Sequence, residues 1–428
     1  MHLLKGMACL LLCGLPLALQ AQQDTPLPEP LTLEYALSLA SETHPDVLMN
    51  EAAQARALAQ RDASRAETSL NASVEGQLRW VGPRREDPDS ITDDHRLSLF
   101  LRKPLYDFGR SSASLDAADH SIRGSELRYQ ALLDQRRLQI MEAYFAVLLA
   151  DMGYDRDMEA MAMAYIRLDR LRNRHELGQA SDIELLELER DYDVSRHQLS
   201  RSSNEQRASR ARLANLLNRP GQLPSSLSRP RLDSQGRELP ELDALYQQAL
   251  QNNPRILALE AELSAANRRV RAAGNDARPR LDGELEASHY SRELGSSDRW
   301  RAGVYLTVPI YSGGRVDVGV AHERAALYEV QARLERERYE LRQQVLETWL
   351  ALQSLQLERQ RALSEQSFRD LYLDRSRANY EMEVRSDLGD SMVRLSESQL
   401  ALAQVNYDLA LAWERLALLL GQQGAPHH

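Results

Sequence analysis

The chain has very little cysteine, with only Cys9 and Cys13 among its 428 residues. Both precede Ala21, where a basic and then apolar N-terminal segment gives way to polar residues. Residues 1–21 therefore read as a cleaved secretory signal peptide. The rest of the chain would carry no thiol, which excludes disulfides, thiolate metal sites and cysteine nucleophiles. N-terminal lipidation is disfavoured because Leu12, and not a small residue, precedes Cys13.

Long apolar runs are missing as well. No segment after the signal peptide approaches the roughly 18 apolar residues that a membrane helix needs. If the mature chain enters a membrane, we expect it to do so as a closed β-barrel. The formal net charge of −10 does not suggest a surface for nucleic acid or another polyanion.

Signatures of catalysis are also lacking. The sequence contains no phosphate-binding loop and no dinucleotide fingerprint, so any energy must come from a partner. Its histidines show no ligand spacing, and we expect no metal site and no cofactor. Paired acids such as Glu187 and Glu189 have no apolar pocket pattern around them, so acid–base chemistry is unsupported. We predict that the protein is not an enzyme.

What the sequence does contain is a long internal repeat. Residues 101–110 return as residues 306–315, so that Pro104 and Pro309 are 309 − 104 = 205 residues apart. The segment 31–37 is likewise echoed by 239–245. A repeat of this length is not a solenoid unit, whose period is about 20 to 50 residues, and each half must be a large piece of one architecture.

The repeat divides the chain into five segments. After the signal peptide we predict a first structural repeat at 22–218, a Pro- and Ser-rich linker at 219–239, a second repeat at 240–421 and a flexible tail at 422–428. Each repeat is predicted to contain a helix pair, a β-hairpin and a long helical hairpin.

The β-hairpins are predicted from alternation with a period of two residues. Ser73, Glu75 and Gln77 share one face of the first strand, and apolar or small residues take the other. Trp80 and Trp300 lie beside the hydrophilic hairpin turns, where a membrane barrel carries an aromatic girdle. From the strands alone, the edge of a soluble β-sandwich is an equally good interpretation.

Two very long helices follow these hairpins, over about 111–174 and 316–380, each returning through a second helix. The last helix carries apolar residues from Leu388 to Leu420 at steps of four and three, which predicts a coiled-coil seam. Gln399 and Asn406 are predicted to set its register. The predicted fold is thus mainly α-helical with β-strands and contains long antiparallel coiled-coil hairpins; the tunnel that these hairpins would form is implied by the family resemblance described below.

Four strands per chain cannot close a membrane barrel, which needs at least about 8. Three copies with four strands each would give a 12-stranded barrel, wide enough to hold water. The proline–aromatic–glycine turns, containing Pro104 and Gly109 in one half and Pro309, Gly313 and Gly314 in the other, are predicted to join the last barrel strand of each half to its long helix.

These features together resemble the TolC-like outer membrane efflux protein family. The residues that carry the resemblance are the start at 31–37, the two proline–aromatic–glycine turns, the helical-hairpin turn at 174–184 and the closing segments 213–218 and 416–421. The resemblance covers about 31–421. It implies a homotrimeric exit duct that spans the outer membrane and the periplasm. It also implies a periplasmic adaptor and an inner-membrane pump of the RND or ABC type as partners, and export of drugs, metals, dyes or polypeptides.

The resemblance also implies a gate at the tips of the helical hairpins. Arg385 matches a tethering arginine, and Asp387 and Asp390 flank the position expected for a ring of acids. Glu184 and Glu187 fall on the corresponding acidic positions of the first half. Threefold repetition of such acids at a narrow opening would favour cations. Capping of the following helix is an equally good role for Asp387.

The two hairpin tips differ in one respect: the first has Gly178 at its turn and the second has Glu383. A secreted coiled-coil scaffold without channel activity is the alternative to an export duct. The alternating hairpins in both halves favour the duct, because a scaffold needs no lipid-facing strands. The substrate, the pump type and the identity of the acidic ring are not determined by the sequence.

Overall fold

The computed structural model describes residues 27–42, 44–81, 92–232, 237–291, 298–382 and 387–422. The predicted signal peptide, Glu383, Arg385 and nearly all of the predicted tail lie outside these residues. In chain order the elements are α1 (Leu33–Ser38), α2 (Pro45–Ala66), β1 (Asn71–Gln77), β2 (Trp80–Val81), β3 (Thr92–Asp93), β4 (Arg96–Tyr106), α3 (Arg110–Glu176), α4 (Asp182–Leu216), α5 (Leu242–Asn252), α6 (Pro254–Asn275), β5 (Arg280–Tyr290), β6 (Trp300–Thr307), α7 (Arg315–Glu381) and α8 (Leu388–Leu419). A short 3-10 helix, Leu39–Ser41, follows α1.

The helices α3 and α7 dominate the molecule. Each has 67 residues, which at 1.5 Å per residue is about 100 Å. The return helices α4 and α8 pack against α3 and α7 respectively, giving two long hairpins. The predicted long helices over 111–174 and 316–380 are confirmed to within two residues at each end.

The two halves repeat the same local chemistry. Pro45 and Pro254 are the first residues of α2 and α6, where the missing N–H of proline breaks no helical hydrogen bond. The residue before each proline is extended and caps its helix: His44 accepts from the backbone N–H of Asp46, and Asn253 from that of Arg255. The repeat therefore extends to the helix caps.

The long helices form a row. Helix α3 contacts α4 on one side and α8 on the other, and α8 in turn contacts α7. Nearer the sheet, α2 and α6 take the places of the return helices, because α2 packs on α3 and α6 packs between α3 and α7. Helices α4 and α7 therefore lie at the two ends of the row.

The sheet has the order β1-β4-β5-β6, with every pair antiparallel. Strands β1 and β6 are its edges. The central pair, β4 and β5, joins the two halves of the chain, with Arg96 opposite Tyr290 and Pro104 opposite Asp282. A separate two-stranded ribbon, β2 with β3, extends the first hairpin and was not predicted.

Each half has its own hydrophobic core. The first contains Tyr144, Phe145 and Leu213, and the second contains Ile256, Val345 and Leu352. Helix α8 contributes to both cores. The segment between the halves runs back across the first core, where Leu227 forms a bridge with Leu31. The Tyr144 hydroxyl lies 2.7 Å from the carbonyl oxygen of Leu31 and 2.6 Å from that of Ser228.

The predicted seam of α8 is only partly correct. Leu409, Leu416 and Leu420 are buried, but Met392 and Gln399 are exposed. Toward the tip the packed positions are instead small residues spaced by seven, part of a buried series Ser391, Ser398, Val405, Ala412 and Leu419. Small side chains allow close approach of α7, so packing and not hydrophobicity selects this face. Asn406 is half-buried and accepts a hydrogen bond from Arg359 of α7 at 2.9 Å.

Candidate gate and membrane surface

The start of α8 carries the two aspartates predicted to form a gate. Asp387 is the N-cap residue, but its side chain accepts no hydrogen bond from the helix amides. Its Oδ2 instead accepts from the Tyr372 hydroxyl of α7 at 3.2 Å. The predicted capping role is therefore not realised by the side chain of Asp387. Its Oδ1 is buried and has no hydrogen-bond partner among the described residues.

Asp390 lies one turn further along and is bound by a different helix. Both of its carboxylate oxygens face the Arg167 guanidinium of α3, at 3.1 and 3.4 Å. Arg167 and Asp390 are each about half exposed, at 52% and 53%. The second hairpin is thereby tied to the first near its tip. Arg385, the predicted tether, lies outside the described residues.

Further contacts hold α8 against α3. The Ser396 hydroxyl donates to a Glu159 carboxylate oxygen at 2.6 Å. Nearer the tip, Gly389 meets Met163 so closely that a Cβ on Gly389 would lie 3.1 Å from the Met163 Cγ and nearer still to its sulfur. A side chain at position 389 would therefore require the half-buried Met163 side chain to move.

The tip of the first hairpin is built differently. Gly178 has φ +74°, a conformation that residues with a Cβ rarely adopt. Ser181 and Glu184 then form a reciprocal capping box at the start of α4. The hydrogen bonds from Ser181 lower the pKa of Glu184. Glu184 therefore has a helix-capping role, while Glu187 lies 3.9 Å from Arg190 on the exposed face of α4.

The strand-to-helix turns depend on glycine. Gly109 and Gly314 are the N-cap residues of α3 and α7, with φ of +91° and +78°, and Gly313 has φ +64°. The predicted turn at Pro104 requires correction, because Pro104 lies inside β4 opposite Asp282. A register shift between Pro104 and Tyr106 lets the strand continue past the proline. Pro309, by contrast, follows the end of β6.

The sheet has one polar and one apolar face. On the polar face Arg102 binds Glu284 at 2.7 Å and Arg301 binds Glu286 at 2.6 Å. The opposite face consists of the residues that alternate with these. We call it the apolar face; it comprises Ala72, Val74, Gly76, Leu97, Leu99, Leu101, Lys103, Leu105, Leu281, Gly283, Leu285, Ala287, His289, Trp300, Ala302, Val304 and Leu306.

The large side chains of the apolar face are exposed, including Val74 at 66%, Val304 at 64% and Leu306 at 62%. Trp300 belongs to this face and is 68% exposed, and Trp80 on β2 is 62% exposed. Both tryptophan side chains are therefore exposed, and their place in an aromatic girdle stays a prediction. No described helix has the length and hydropathy to cross a membrane.

Two residues near the candidate gate were not predicted from the sequence. Arg167 and Tyr372, which bind the two aspartates, are 372 − 167 = 205 residues apart, the same offset as Pro104 and Pro309. They occupy equivalent positions in the two repeats. Extending the repeat from the turns to the helices would have drawn attention to both positions, although not to their partners.

The comparison that decides the family covers most of the chain. The outer membrane efflux protein family matches residues 36–219 and, separately, residues 245–422. The chain belongs to this family. Efflux proteins of this family are channels of the outer membrane and not enzymes, so the protein is an outer-membrane protein with a periplasmic helical body. The two separate matches agree with the internal repeat.

Solved outer membrane efflux proteins have the same fold. The CmeC outer membrane channel of Campylobacter jejuni is 15% identical, with a TM-score of 0.78 over 91% of this chain and 85% of that one. The outer membrane protein VceC of Vibrio cholerae is 16% identical, with a TM-score of 0.74 over 91% and 96%. The predicted mainly helical fold with a small sheet and a twofold repeat is confirmed.

A curated relative in sequence is Protein CyaE of Bordetella pertussis. It is 26% identical over 224 residues, which are 51% of this efflux protein and 47% of the relative. The aligned part of the chain thus spans about half the length of that relative.

Proposed function

We propose that the protein is a passive exit duct that works as a homotrimer in the outer membrane. It would receive substrates from a periplasmic adaptor and an inner-membrane pump of the RND or ABC type. The exported substrates would be small molecules such as drugs or metals, or polypeptides. Outer-membrane lipid would surround the barrel.

The observation that carries this proposal is that both edges of the four-stranded sheet lack a neighbouring strand among the described residues. These edges are strands β1 and β6, and a free edge is a liability unless another strand covers it. A head-to-tail arrangement, with β6 of one copy beside β1 of the next, closes into a ring. Three copies of the four-stranded sheet make the 12-stranded barrel of the proposal.

Helix α7 supports the same arrangement because it is apolar on two opposite sides. One side, including Leu341, Val345 and Leu352, is buried in the second core. The other is an exposed stripe whose members recur at 3, 7 or 11 residues and so share one helix face. The exposed stripe comprises Tyr328, Tyr339, Leu350, Leu357, Phe368 and Leu371. A second copy, with its α2 and α4, would cover this stripe.

The two faces of the sheet fit the same barrel. The polar face, with its Arg102–Glu284 and Arg301–Glu286 pairs, would line the water-filled interior, and the exposed apolar face would meet lipid. A coiled-coil scaffold without channel activity would need neither face. The narrow end of the tunnel would be formed by the hairpin tips, with Asp387 and Asp390 in each copy as an acidic ring that favours cations.

The proposal is tested by planar-bilayer recording. Protein extracted in detergent and isolated as a trimer should form discrete pores that prefer cations. A matched preparation of the protein unfolded by heat serves as the control for detergent and contaminants. A trimer that inserts into the bilayer and passes no current would contradict the duct. Cross-linking in the native envelope would then identify the pump and its adaptor.

A further inference from the structure

One charged residue interrupts the apolar face of the sheet. Lys103, on β4, is the only Asp, Glu, Lys or Arg on this face in the described strands β1, β4, β5 and β6. Its side chain is exposed. Within the described part of the chain, Lys103 has no ion-pair or hydrogen-bond partner, in contrast to Arg102 beside it, which binds Glu284.

The position of Lys103 along the strand determines where its ammonium group can go. Lys103 is level with Gly283 and Val304, and Leu105, Leu281 and Leu306 lie between this level and the tunnel end of the face. Two strand residues span about 7 Å, which the flexible four-carbon stem of lysine can cover. Away from the tunnel end, the residues next to Lys103 on the apolar face are apolar at several successive positions of the strands. The ammonium group should therefore extend toward the tunnel end.

The surroundings at the tunnel end are those of a membrane interface. Tyr106, at the end of β4, is 58% exposed, and Tyr311, in the corresponding turn of the second half, is 90% exposed. Exposed tyrosines at the edge of an apolar band are typical of the headgroup level. The position equivalent to Lys103 in the second repeat, 103 + 205, is Val308. The cation therefore occurs once per chain and is not imposed by the repeat.

From this position we infer that Lys103 binds the phosphate group of a phospholipid in the periplasmic leaflet of the outer membrane, at one site per chain. An ammonium group that has left the apolar band needs an anion at headgroup level, and lipid phosphate supplies it. The inference rests on the proposed barrel, in which the apolar face meets lipid. It does not depend on what the duct exports or on its gate.

The composition of the chain allows a direct test. Lys5 and Lys103 are its only lysines, and Lys5 lies in the predicted signal peptide, so one side-chain amine remains. The full protein is placed in digalactosyldiacylglycerol vesicles, which contain no phosphate, with or without phosphatidylglycerol. The rate of Lys103 acylation by a water-soluble amine reagent is read by peptide mass spectrometry. Phosphatidylglycerol should slow the reaction about fivefold, and an unchanged rate would overturn the inference.

A second arm separates lipid from free anion. Inorganic phosphate added to the phosphate-free vesicles should leave the acylation rate unchanged. Equal protection by inorganic phosphate would overturn a lipid site in favour of a general anion effect. Native mass spectrometry of the detergent-extracted protein gives an independent readout, in which Lys103→Gln should lose one bound phosphatidylglycerol per chain and Lys103→Arg should retain it.

The matched control is Arg336→Gln, which removes an exposed cation from α7, outside the sheet. It should retain the same number of bound lipids as the unmodified protein. Equal lipid loss in both variants would overturn a specific site. Conductance of the same preparations is recorded in parallel. A conducting Lys103→Gln channel that keeps its lipid would overturn this inference alone, and a non-conducting trimer would contradict the duct.

Discussion

Arg167 of α3 holds Asp390 of α8 at 3.1 Å, across two hairpins that belong to different halves of the chain. At the equivalent position of the second repeat, Tyr372 holds Asp387 at 3.2 Å. The two repeats have thus placed different side chains against neighbouring acids. One aspartate is compensated by a full positive charge and the other by a neutral hydroxyl, which leads to different expectations for their substitution.

We expect Asp387→Asn to lower the preference of the channel for cations. A unit charge about 8 Å from a passing cation contributes about 0.5 kcal/mol in water, so the loss of three such charges is enough for a change of about twofold or more at low salt. Reversal potentials in a salt gradient measure the effect. Unchanged reversal potentials would exclude Asp387 from the selective ring.

For Asp390 the expectation depends on Arg167. Asp390→Asn alone should also lower cation preference, because it leaves the guanidinium uncompensated. The double variant Arg167→Gln with Asp390→Asn changes no net charge and should restore selectivity close to that of the unmodified channel. If the double variant is as impaired as the single one, local net charge is not what selects ions at this tip.

Addition of a methyl group at Gly389 should be coupled to the side chain at Met163. A Cβ there requires the half-buried Met163 side chain to move, at a cost of about 1 kcal/mol, the low end for overpacking. Truncation of Met163 to alanine makes room for the methyl group. We therefore expect the change in the free energy of unfolding caused by Gly389→Ala to be more favourable by about 1 kcal/mol or more when Met163 has been replaced by alanine. Urea unfolding of the four variants measures this coupling, and additive effects would contradict the packing.

We expect alanine substitutions of Ser376 and Ser391, which contact each other, to lower the free energy of unfolding by different amounts. Their hydroxyl oxygens are 2.8 Å apart in a buried position, and the Ser391 hydroxyl also lies 2.9 Å from the carbonyl oxygen of Asp387. Ser391→Ala removes both contacts and leaves the Ser376 hydroxyl buried, at a cost of about 1–3 kcal/mol in the free energy of unfolding. Ser376→Ala should cost less, because Ser391 keeps its backbone acceptor. Equal losses in urea unfolding would contradict this assignment.

The capping box of the first hairpin should respond to pH. Because the pKa of Glu184 is lowered from its ordinary value of 4.5, the ionised side chain stabilises the folded tip. This stabilisation is fully present above pH 4.5 and is lost as the pH falls through the lowered pKa. Backbone amide exchange at Ser181 and Glu184, corrected for the intrinsic pH dependence, should therefore accelerate in acid. Glu184→Gln cannot titrate and should abolish the excess acceleration.

Much of this fold follows from local patterns in the sequence. The helix starts at Pro45 and Pro254, the long helices and the alternating strands all depend on residues close together in the chain. A period of two or of 3.6 residues reports which face of an element is apolar without any knowledge of its partner. The internal repeat then shows that both halves use the same elements in the same order. Gln399, which was predicted to lie in the seam of α8 but is exposed, marks the limit of this reasoning, because a periodic pattern does not state which neighbouring helix it meets.

The contacts across the candidate gate were decided only by the tertiary structure. Arg167 and Asp390 are separated by 223 residues, and the pairing of β4 with β5 joins strands from opposite halves. Such contacts depend on the axial position of one long helix relative to the other. That position is set by the packing of many side chains along both helices. The sequence by itself determined two helical hairpins and two strand pairs. Which acid meets which partner, and which residues of β5 and β6 lie level with Lys103, required the register between distant elements.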